Sequence, residues 1–436
     1  MSAPQKDARN HIERLTVGMP PEEIERRLAP KFNPAPPRVP GATRTGREVV
    51  AKRWALLPHA EERRAIVADP AALAEHAAYE RNIENFIGTV KVPVGLAGPL
   101  RVNGLAAQGD YYVPLATTEA ALVASYHRGA VVITEAGGCS TLILNEGVSR
   151  APAFAFRTLL EAGRFVQWCL EHEAELRTAA ESTTSHGRLQ NLRFNVEGNH
   201  VYLVLEFTTG DASGQNMVTI AAQAVCELLD ASCPVKPVHY FVEGNFSGDK
   251  KPSSQSFQSV RGRKVTAEVR VARTLVERLL HTTPEKMMDY WRMSSIGGVL
   301  SGTIGVQGHY ANGLAAMFIA CGQDAACLSE ASVGVTRFEL EERDGGFLYA
   351  AVTLPNVIVG TVGGGTGLPS QRACLDILGL AGAGQARAFA EVCTALVLAG
   401  ELSITAALSS QQFARAHARL ARGRQARPRV QPAADS

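Results

Sequence analysis

The sequence has almost no net charge, with 44 Lys and Arg against 42 Asp and Glu. No whole-molecule positive field invites a polyanion, so general nucleic-acid binding is excluded as a first reading. Long apolar runs are also missing. Asp324 and Glu401 interrupt the most apolar stretches, which fall short of the ~20 consecutive apolar residues that span a bilayer, and a soluble chain is expected. Residues 1–14 are polar and of mixed charge, without the apolar core of a secretory signal, so cytoplasmic residence is expected. The eight cysteines (139, 169, 226, 233, 321, 327, 374 and 393) form no C-x-x-C pair and have mostly apolar or small neighbours. That pattern predicts reduced core thiols rather than disulfides or a zinc site. What remains is an ordinary globular composition, 46% hydrophobic and 20% charged over 436 residues. A sizeable core is expected, and about two to four folding units.

Residues 1–57 are polar, and prolines 30, 34, 36, 37 and 40 break any helix between 28 and 42, predicting short helical pieces on an extended linker. Residues 61–85 have helical spacing broken once at Pro70, and 87–100 read as a strand and turn. Between 152 and 242 the order is helix (158–182), strand (192–196), turn, strand (200–208), helix (215–229) and strand (235–242), a small α+β unit of the split βαβ kind. Residues 254–345 are expected to be mainly helical, 346–354 a strand, and 371–420 mostly helix before a basic, mobile tail.

Several runs combine glycine, small polar residues and single charges. In 114–125, Glu119 stands among small apolar residues that would desolvate it toward a proton-donor role; equally, Thr117 or Thr118 is an N-cap with Glu119 in the first turn. The loop 244–252 either presents Lys250 and Lys251 to a carbonyl and an anion or carries solvated charges. Asp324, after the helical run 312–319, needs a cationic or hydrogen-bonding partner, which a structural salt bridge would also supply. His417 lies on an Arg-rich helix and taken alone is an ordinary solvated residue. The run 360–366 (GTVGGGT) is neither G-x-G-x-x-G nor a Walker loop, but allows close approach of a ligand or another chain segment. In 210–217 (GDASGQNM), between strand and helix, backbone N–H groups could face a pyrophosphate.

Taken together, these runs resemble the 3-hydroxy-3-methylglutaryl-coenzyme A reductase family, in the class found in eukaryotes, archaea and some bacteria. The likeness covers about residues 60–423 and rests on ordered motifs: ENFIG at 84–88 with VPVGLAGPL at 92–100, ATTE at 116–119, DKKP at 249–252, GQDAA at 322–326 and GTVGGGT at 360–366. The resemblance implies an α+β protein with a helical amino-terminal arm and linker (1–77) and a large, mainly helical substrate and coenzyme A domain (78–151 and 243–422). It also implies an inserted small split-βαβ, ferredoxin-like nicotinamide-binding domain (152–242) and a mobile tail (423–436). The implied activity is a four-electron, two-step reduction of hydroxymethylglutaryl-coenzyme A to mevalonate and coenzyme A. NADPH is the implied cofactor, with NADH as the alternative, and no metal is implied. The implied partners are an acyl-coenzyme A thioester and a second copy of the chain, in a homodimer or dimer-based oligomer with shared active sites, with no nucleic acid and no membrane.

The matching positions imply roles. Lys250 stabilises the oxyanion, Glu119 supplies a proton, Asp324 hydrogen-bonds to both, and His417 protonates the departing thiolate. Arg150 and Lys251 take the distal carboxylate, in a substrate site that also includes Glu243, Asp249 and Asn312. Ser125, Arg128 and His309 fall on the coenzyme A side. Ser185, His186, Asp211, Gly214, Asn216, Met217 and Arg422 fall on the nicotinamide cofactor. The chain departs from the family pattern at several places, three of them substitutions at implied ligand positions. Glu243 replaces a serine, Met293 stands where a carboxylate-binding lysine is expected with Arg292 the nearest cation, and Ser185 and His186 replace an arginine and an aromatic residue. An added anion and a lost cation weaken an anion site, so the alternative is a diverged relative reducing another acyl thioester, bound to coenzyme A or a carrier protein. A non-catalytic ligand-binding descendant is disfavoured because Glu119, Lys250, Asp324 and His417 are all kept.

Overall fold

Proline and polar residues hold the first stretch of chain to short helices: α1 (Gln5–Thr16), α2 (Pro21–Leu28), α3 (Arg47–Trp54), α4 (Ala60–Val67), α5 (Pro70–Ala74) and α6 (His76–Tyr79). The computed structural model describes residues 5–32, 36–57, 60–342 and 346–410, and the chain divides into two compact units, 1–89 and 90–436. In the first unit Pro70 opens α5, with the Asp69 side chain accepting from the Ala72 N–H at 2.9 Å. The stretch 61–85 therefore breaks twice rather than once. Its small core is Val50, Trp54, Ala68 and Phe86, with Tyr79 stacked on Phe86 at 4.9 Å. Arg53 is buried there and donates to the carbonyls of Pro40, Ala42 and Phe86, tying linker to helix. The boundary expected at 77/78 falls inside this unit, because Tyr79 and Phe86 complete its core.

The second unit runs β1 (Val94–Gly104), β2 (Gln108–Ala116), α7 (Leu122–Glu135), β3 (Cys139–Arg150), β4 (Ala153–Ala155), α8 (Leu159–Glu171), α9 (Glu173–Glu181), β5 (Arg188–Glu197), β6 (His200–Thr208), α10 (Gln215–Ser232) and β7 (His239–Phe241). It continues through β8 (Gly262–Ala272), α11 (Arg273–Leu275), α12 (Pro284–Ser301), β9 (Gly305–Val306), α13 (Tyr310–Ala320), α14 (Leu328–Ala331), β10 (Gly334–Glu341), β11 (Phe347–Val357), α15 (Pro369–Leu378) and α16 (Ala386–Ser409). Strand β3 joins two sheets. Residues 140–147 pair with β8, and Val148–Arg150 pair with β6 after a register shift between Ile143 and Asn145, which leaves Arg150 at the junction.

On one side of that junction β5, β6, β4 and β7 lie in that order, every pair antiparallel, with α8 and α9 between the first two strands in sequence and α10 between the last two. This is the split βαβ arrangement expected from the sequence pattern. The helix expected over 158–182 is two helices meeting at His172, and the last strand shortens to three residues, since Pro234 and Pro237 have no N–H to give a ladder. On the other side, 254–345 is less helical than expected and supplies β8 and β10. Along β8, Val265, Ala267, Val269 and Val271 are buried while Glu268 and Arg270 face outward, a period of two.

Helix α16 is long and apolar enough to cross a membrane by length and composition, yet 83% of its most apolar window is buried inside the protein, where it serves as the core helix. It packs on α7, where Gly129 is obligatory: a Cβ there would sit 1.8 Å from the Ala399 carbonyl oxygen. All eight cysteines are free and buried, as expected.

Candidate active site

The site grows from the loop after β7. The Glu243 carboxylate accepts from the N–H groups of Ala151 (3.3 Å) and Phe246 (3.2 Å) and from Ser247 Oγ (2.8 Å), folding the loop back on itself. It also meets Arg150 Nη1 at 3.2 Å. Arg150, 6% exposed, reaches Asp249 Oδ2 at 3.0 Å from the same nitrogen. The other Asp249 oxygen takes Arg261 Nη2 at 2.9 Å. Arg261, 2% exposed, extends Nε to Glu330 Oε2 at 2.7 Å and Nη2 to Gln215 Oε1 at 3.0 Å. Charge alternates along Glu243, Arg150, Asp249, Arg261 and Glu330, so no member is buried without an opposite neighbour. Burial raises the Glu330 carboxyl and Arg261 opposes the rise.

Lys250 follows Asp249 in a left-handed conformation, φ +56°, that a residue with a Cβ adopts only under constraint. Its N–H donates to Glu330 Oε1 at 3.2 Å and its Nζ meets Asp324 Oδ2 at 2.8 Å. Asp324 has the cationic partner its sequence context demanded. Its Oδ1 accepts from Ala326 N–H at 2.9 Å, capping the 3-10 turn Ala325–Cys327. The preceding Gln323 clamps Gly360, with Nε2 on its carbonyl at 3.0 Å and Oε1 under its N–H at 2.8 Å. Gly360 has no room for a side chain, since a Cβ would lie 2.7 Å from the Ser213 nitrogen, so the run 360–366 brings backbone against another chain segment.

The hydrogen bond it donates to Asp324 raises the Lys250 ammonium above its ordinary range, against a smaller opposing effect of burial. Burial would raise the Asp324 carboxyl, but the Lys250 ammonium and the Ala326 N–H together outweigh it and hold the group below its ordinary value. Asp324's contribution is therefore present above ~3.9 and lost as pH falls through its lowered value; Lys250's is present below ~10.4 and lost as pH rises through its raised value. Nuclear magnetic resonance titration of the labelled side chains is expected to show both charged from about pH 5 to about pH 9. A midpoint inside that window for either group would contradict the pairing.

Glu119 is exposed, not desolvated, and its N–H donates to Thr117 Oγ1 at 3.0 Å. Helix α7 begins only at Leu122, after Ala121 at φ +71°, so Glu119 is not a first-turn residue. Both of its oxygens accept from Asn312 Nδ2, at 3.0 and 3.2 Å. The expected hydrogen bond between Asp324 and Glu119 is not made among the described residues: Asn312 occupies one carboxylate, Lys250 and Ala326 the other. Lys251 is exposed and places Nζ on its own loop at the Asp249 carbonyl, 2.8 Å away.

Ser125, Arg128 and His309 do come together. Ser125 Oγ lies 3.4 Å from His309 Nε2 and 3.0 Å from Ser403 Oγ, to which Arg128 Nε also donates at 3.0 Å. The His309 ring stacks on Tyr126 at 4.9 Å. Beneath it the buried Glu401 accepts from the N–H groups of Gly308 and His309, both at 2.8 Å, and lies 3.5 Å from Nδ1.

Of the cofactor candidates, Gly214 starts α10 at φ +76° with no side-chain cap, so the first N–H groups of the helix are not taken by a capping side chain and suit an anion such as a pyrophosphate. Met217 sulfur takes Thr184 Oγ1 at 3.2 Å, which brings the exposed turn with Ser185 and His186 beside the helix start and exposed Asn216. Asp211, in the same motif, is also held within the protein. Its carboxylate accepts from Gly384 N–H (2.8 Å) and Ala386 N–H (3.2 Å) and caps α16. Met293 is exposed on α12, and Arg292 pairs with Asp289 at 3.6 Å. His417, Arg422 and the tail lie outside the described residues. Among the described residues no group of three or more His, Cys, Asp or Glu is placed to hold a metal.

A lysine ammonium fixed against a carboxylate can polarise a carbonyl, a second carboxylate is held on an asparagine, and an uncapped helix start in a split βαβ unit suits an anion. The family model for hydroxymethylglutaryl-coenzyme A reductase matches residues 47–422, and the chain belongs to that family. It is 46% identical over 348 residues to the 3-hydroxy-3-methylglutaryl-coenzyme A reductase of Methanothermobacter thermautotrophicus, covering 79% of this chain and 86% of that one. To the enzyme of the same name in Haloferax volcanii it is 44% identical over 359 residues, covering 81% and 87%. In fold it is similar, at TM-score 0.62 and 20% identity, to the class II enzyme of Streptococcus pneumoniae solved with NADPH in open conformations, with 82% of this chain and 96% of that chain covered.

Proposed function

We propose that the protein reduces 3-hydroxy-3-methylglutaryl-coenzyme A to mevalonate and free coenzyme A, consuming two NADPH and two protons. The observation that carries this reading is the Lys250–Asp324 pair at 2.8 Å, held by a buried chain of alternating charges. NADPH, bound twice in turn, supplies the two hydrides. Lys250 Nζ donates to the carbonyl oxygen as it gains negative charge, a contribution of ~10²–10³ in rate for one preorganised donor. The hemithioacetal oxyanion collapses to aldehyde as the carbon–sulfur bond breaks, and Glu119, oriented by Asn312, supplies the proton that the oxygen takes when the aldehyde becomes alcohol. His417 protonates the departing thiolate. Lys251 and Arg150 take the distal carboxylate; the buried Arg150 Nε has no hydrogen-bond partner among the described residues. Ser125, Arg128 and His309 serve the coenzyme A side, and the start of α10 with Gly214 and Asn216 serves the cofactor, with Arg422 at the 2′-phosphate. The test is cofactor oxidation by the purified protein offered this thioester and other acyl thioesters in turn, with NADPH and then NADH.

The pairing of Glu243 with Arg150 weakens the motive for a different acyl group, since the added anion has a cationic partner, which it shares with Asp249. Glu243→Ser is expected to change KM for the thioester by less than about threefold, a difference of ~0.65 kcal/mol. A marked loss of affinity would mean that Glu243 itself binds substrate.

His417→Gln is expected to spare reduction of supplied mevaldehyde and to slow the thioester by ~10²-fold or more, because only the thioester route has a thiolate to protonate. Equal slowing of both substrates would remove that role.

The proposed assembly is a cytoplasmic homodimer or dimer-based oligomer with shared active sites. In its support, Lys250 and Asp324 are 42% and 41% exposed in one chain, and α12 presents Met293, Ile296, Val299 and Leu300 to solvent. Light scattering that gives an active monomer would end this part of the reading.

A further inference from the structure

Lys250 is held at both ends by one short segment, and only one of the two contacts is chemistry. Asp324, at the start of the segment, takes the ammonium at 2.8 Å; Glu330, six residues on in α14, takes the backbone N–H at 3.2 Å. Between them the 3-10 turn Ala325–Cys327 and α14 make a rigid spacer. Glu330 is fully buried and does not reach the surface where substrate arrives. Its second oxygen is occupied by Arg261 at 2.7 Å, and Arg261 in turn grips Asp249, the residue before Lys250, at 2.9 Å. Two consecutive residues, one of them at a left-handed φ of +56°, are thus fixed from below by one buried ion pair. An unheld residue with a Cβ would leave that conformation for a more populated one and swing the ammonium off its target.

We infer that Glu330, braced by Arg261, is a positioning residue for the proposed reaction: it fixes the Lys250 backbone so that the ammonium stays aligned between Asp324 and the reacting carbonyl. This rests on the functional reading above, in which Lys250 polarises the carbonyl. Positioning acts on both reduction steps, because both place negative charge on the same oxygen, and on kcat more than KM, because Arg150, which takes the distal carboxylate, keeps its own ties to Glu243 and Asp249, and Ser125, Arg128 and His309 on the coenzyme A side are hydrogen-bonded to Ser403 and to one another and not to the brace. Displacement of a catalytic group by about 1 Å costs up to ~10²-fold.

The test uses the double variant Arg261→Met/Glu330→Met, which removes one buried cation and one buried anion together and leaves Asp249 paired with Arg150. In the folded variant, kcat is expected to fall at least ~10-fold on both the thioester and mevaldehyde with KM within about threefold, as misplacement of the lysine requires. Hydrogen exchange of the peptide carrying the Lys250 amide is expected to speed up at the same time. A kcat within threefold of the unmodified protein, a loss confined to KM, or unchanged exchange would each overturn the inference. Should the double variant fail to fold, Glu330→Gln keeps an acceptor for the Lys250 N–H but weakens the tie to Arg261, and is expected to lower kcat by ~3–10-fold at constant KM; unchanged kcat there overturns it. If the unmodified protein reduces neither substrate, the functional reading fails, and the exchange measurement still decides whether Glu330 fixes Lys250.

Discussion

Lys250→Ala is expected to abolish reduction of both the thioester and mevaldehyde, by ~10³-fold or more, while the protein stays folded. The magnitude follows from removing a preorganised donor that also carries a full charge, where one neutral donor alone is worth ~10²–10³. Folding survives because the ammonium is partly exposed and Asp324 keeps the Ala326 N–H when its partner goes. Single-turnover measurements on each substrate, with circular dichroism as the folding check, decide it. Near-normal turnover by a folded variant would remove Lys250 from its role and with it the observation on which the functional reading rests.

Arg150→Met carries the second large effect, on stability as well as binding. Arg150 separates Glu243 from Asp249, and its loss leaves the Glu243 carboxylate with only hydrogen bonds and Asp249 with Arg261 alone. Breaking a buried pair by removing one partner typically costs ~3–5 kcal/mol. Denaturant unfolding is expected to show a loss of that order, together with a raised KM for the thioester. Adding Glu243→Ser should recover part of the stability, because it removes one of the stranded carboxylates, and should not recover KM. Equal loss in the single and double variants would show that Glu243 is not paired with Arg150 in solution.

The two variants probe groups that differ in how far they could be read from sequence. Asp324 was visible because a carboxylate among small apolar residues demands a partner, and Lys250 because a constrained loop with three adjacent charges is an unusual place for them. The split βαβ unit was visible in its alternation of helix and strand, whereas β8 was missed although V-T-A-E-V-R-V alternates plainly, because helical segments flank it. Arg261 and Glu330 gave no local signal. Each is a single charge, and what makes them a brace is a contact across 69 positions of sequence that only the fold creates. Glu401 does carry a signal, a carboxylate deep inside an apolar helix, which marks it as a buried, bonded group. Asp211 sits in a motif that suggests a cofactor contact, and its carboxylate also accepts from backbone N–H groups at the start of α16, which the motif does not signal. Motif spacing identifies which residues converge on a region but cannot say which backbone groups claim their side chains first.

The central claim is tested most directly by the stoichiometry of the reaction. Purified protein is given a limiting amount of 3-hydroxy-3-methylglutaryl-coenzyme A and excess NADPH, and NADPH oxidation, free thiol and product are followed together. The expected result is two NADPH oxidised and one thiol released per thioester, with mevalonate as the product. No NADPH oxidation, or thiol release without it, would contradict the proposed function.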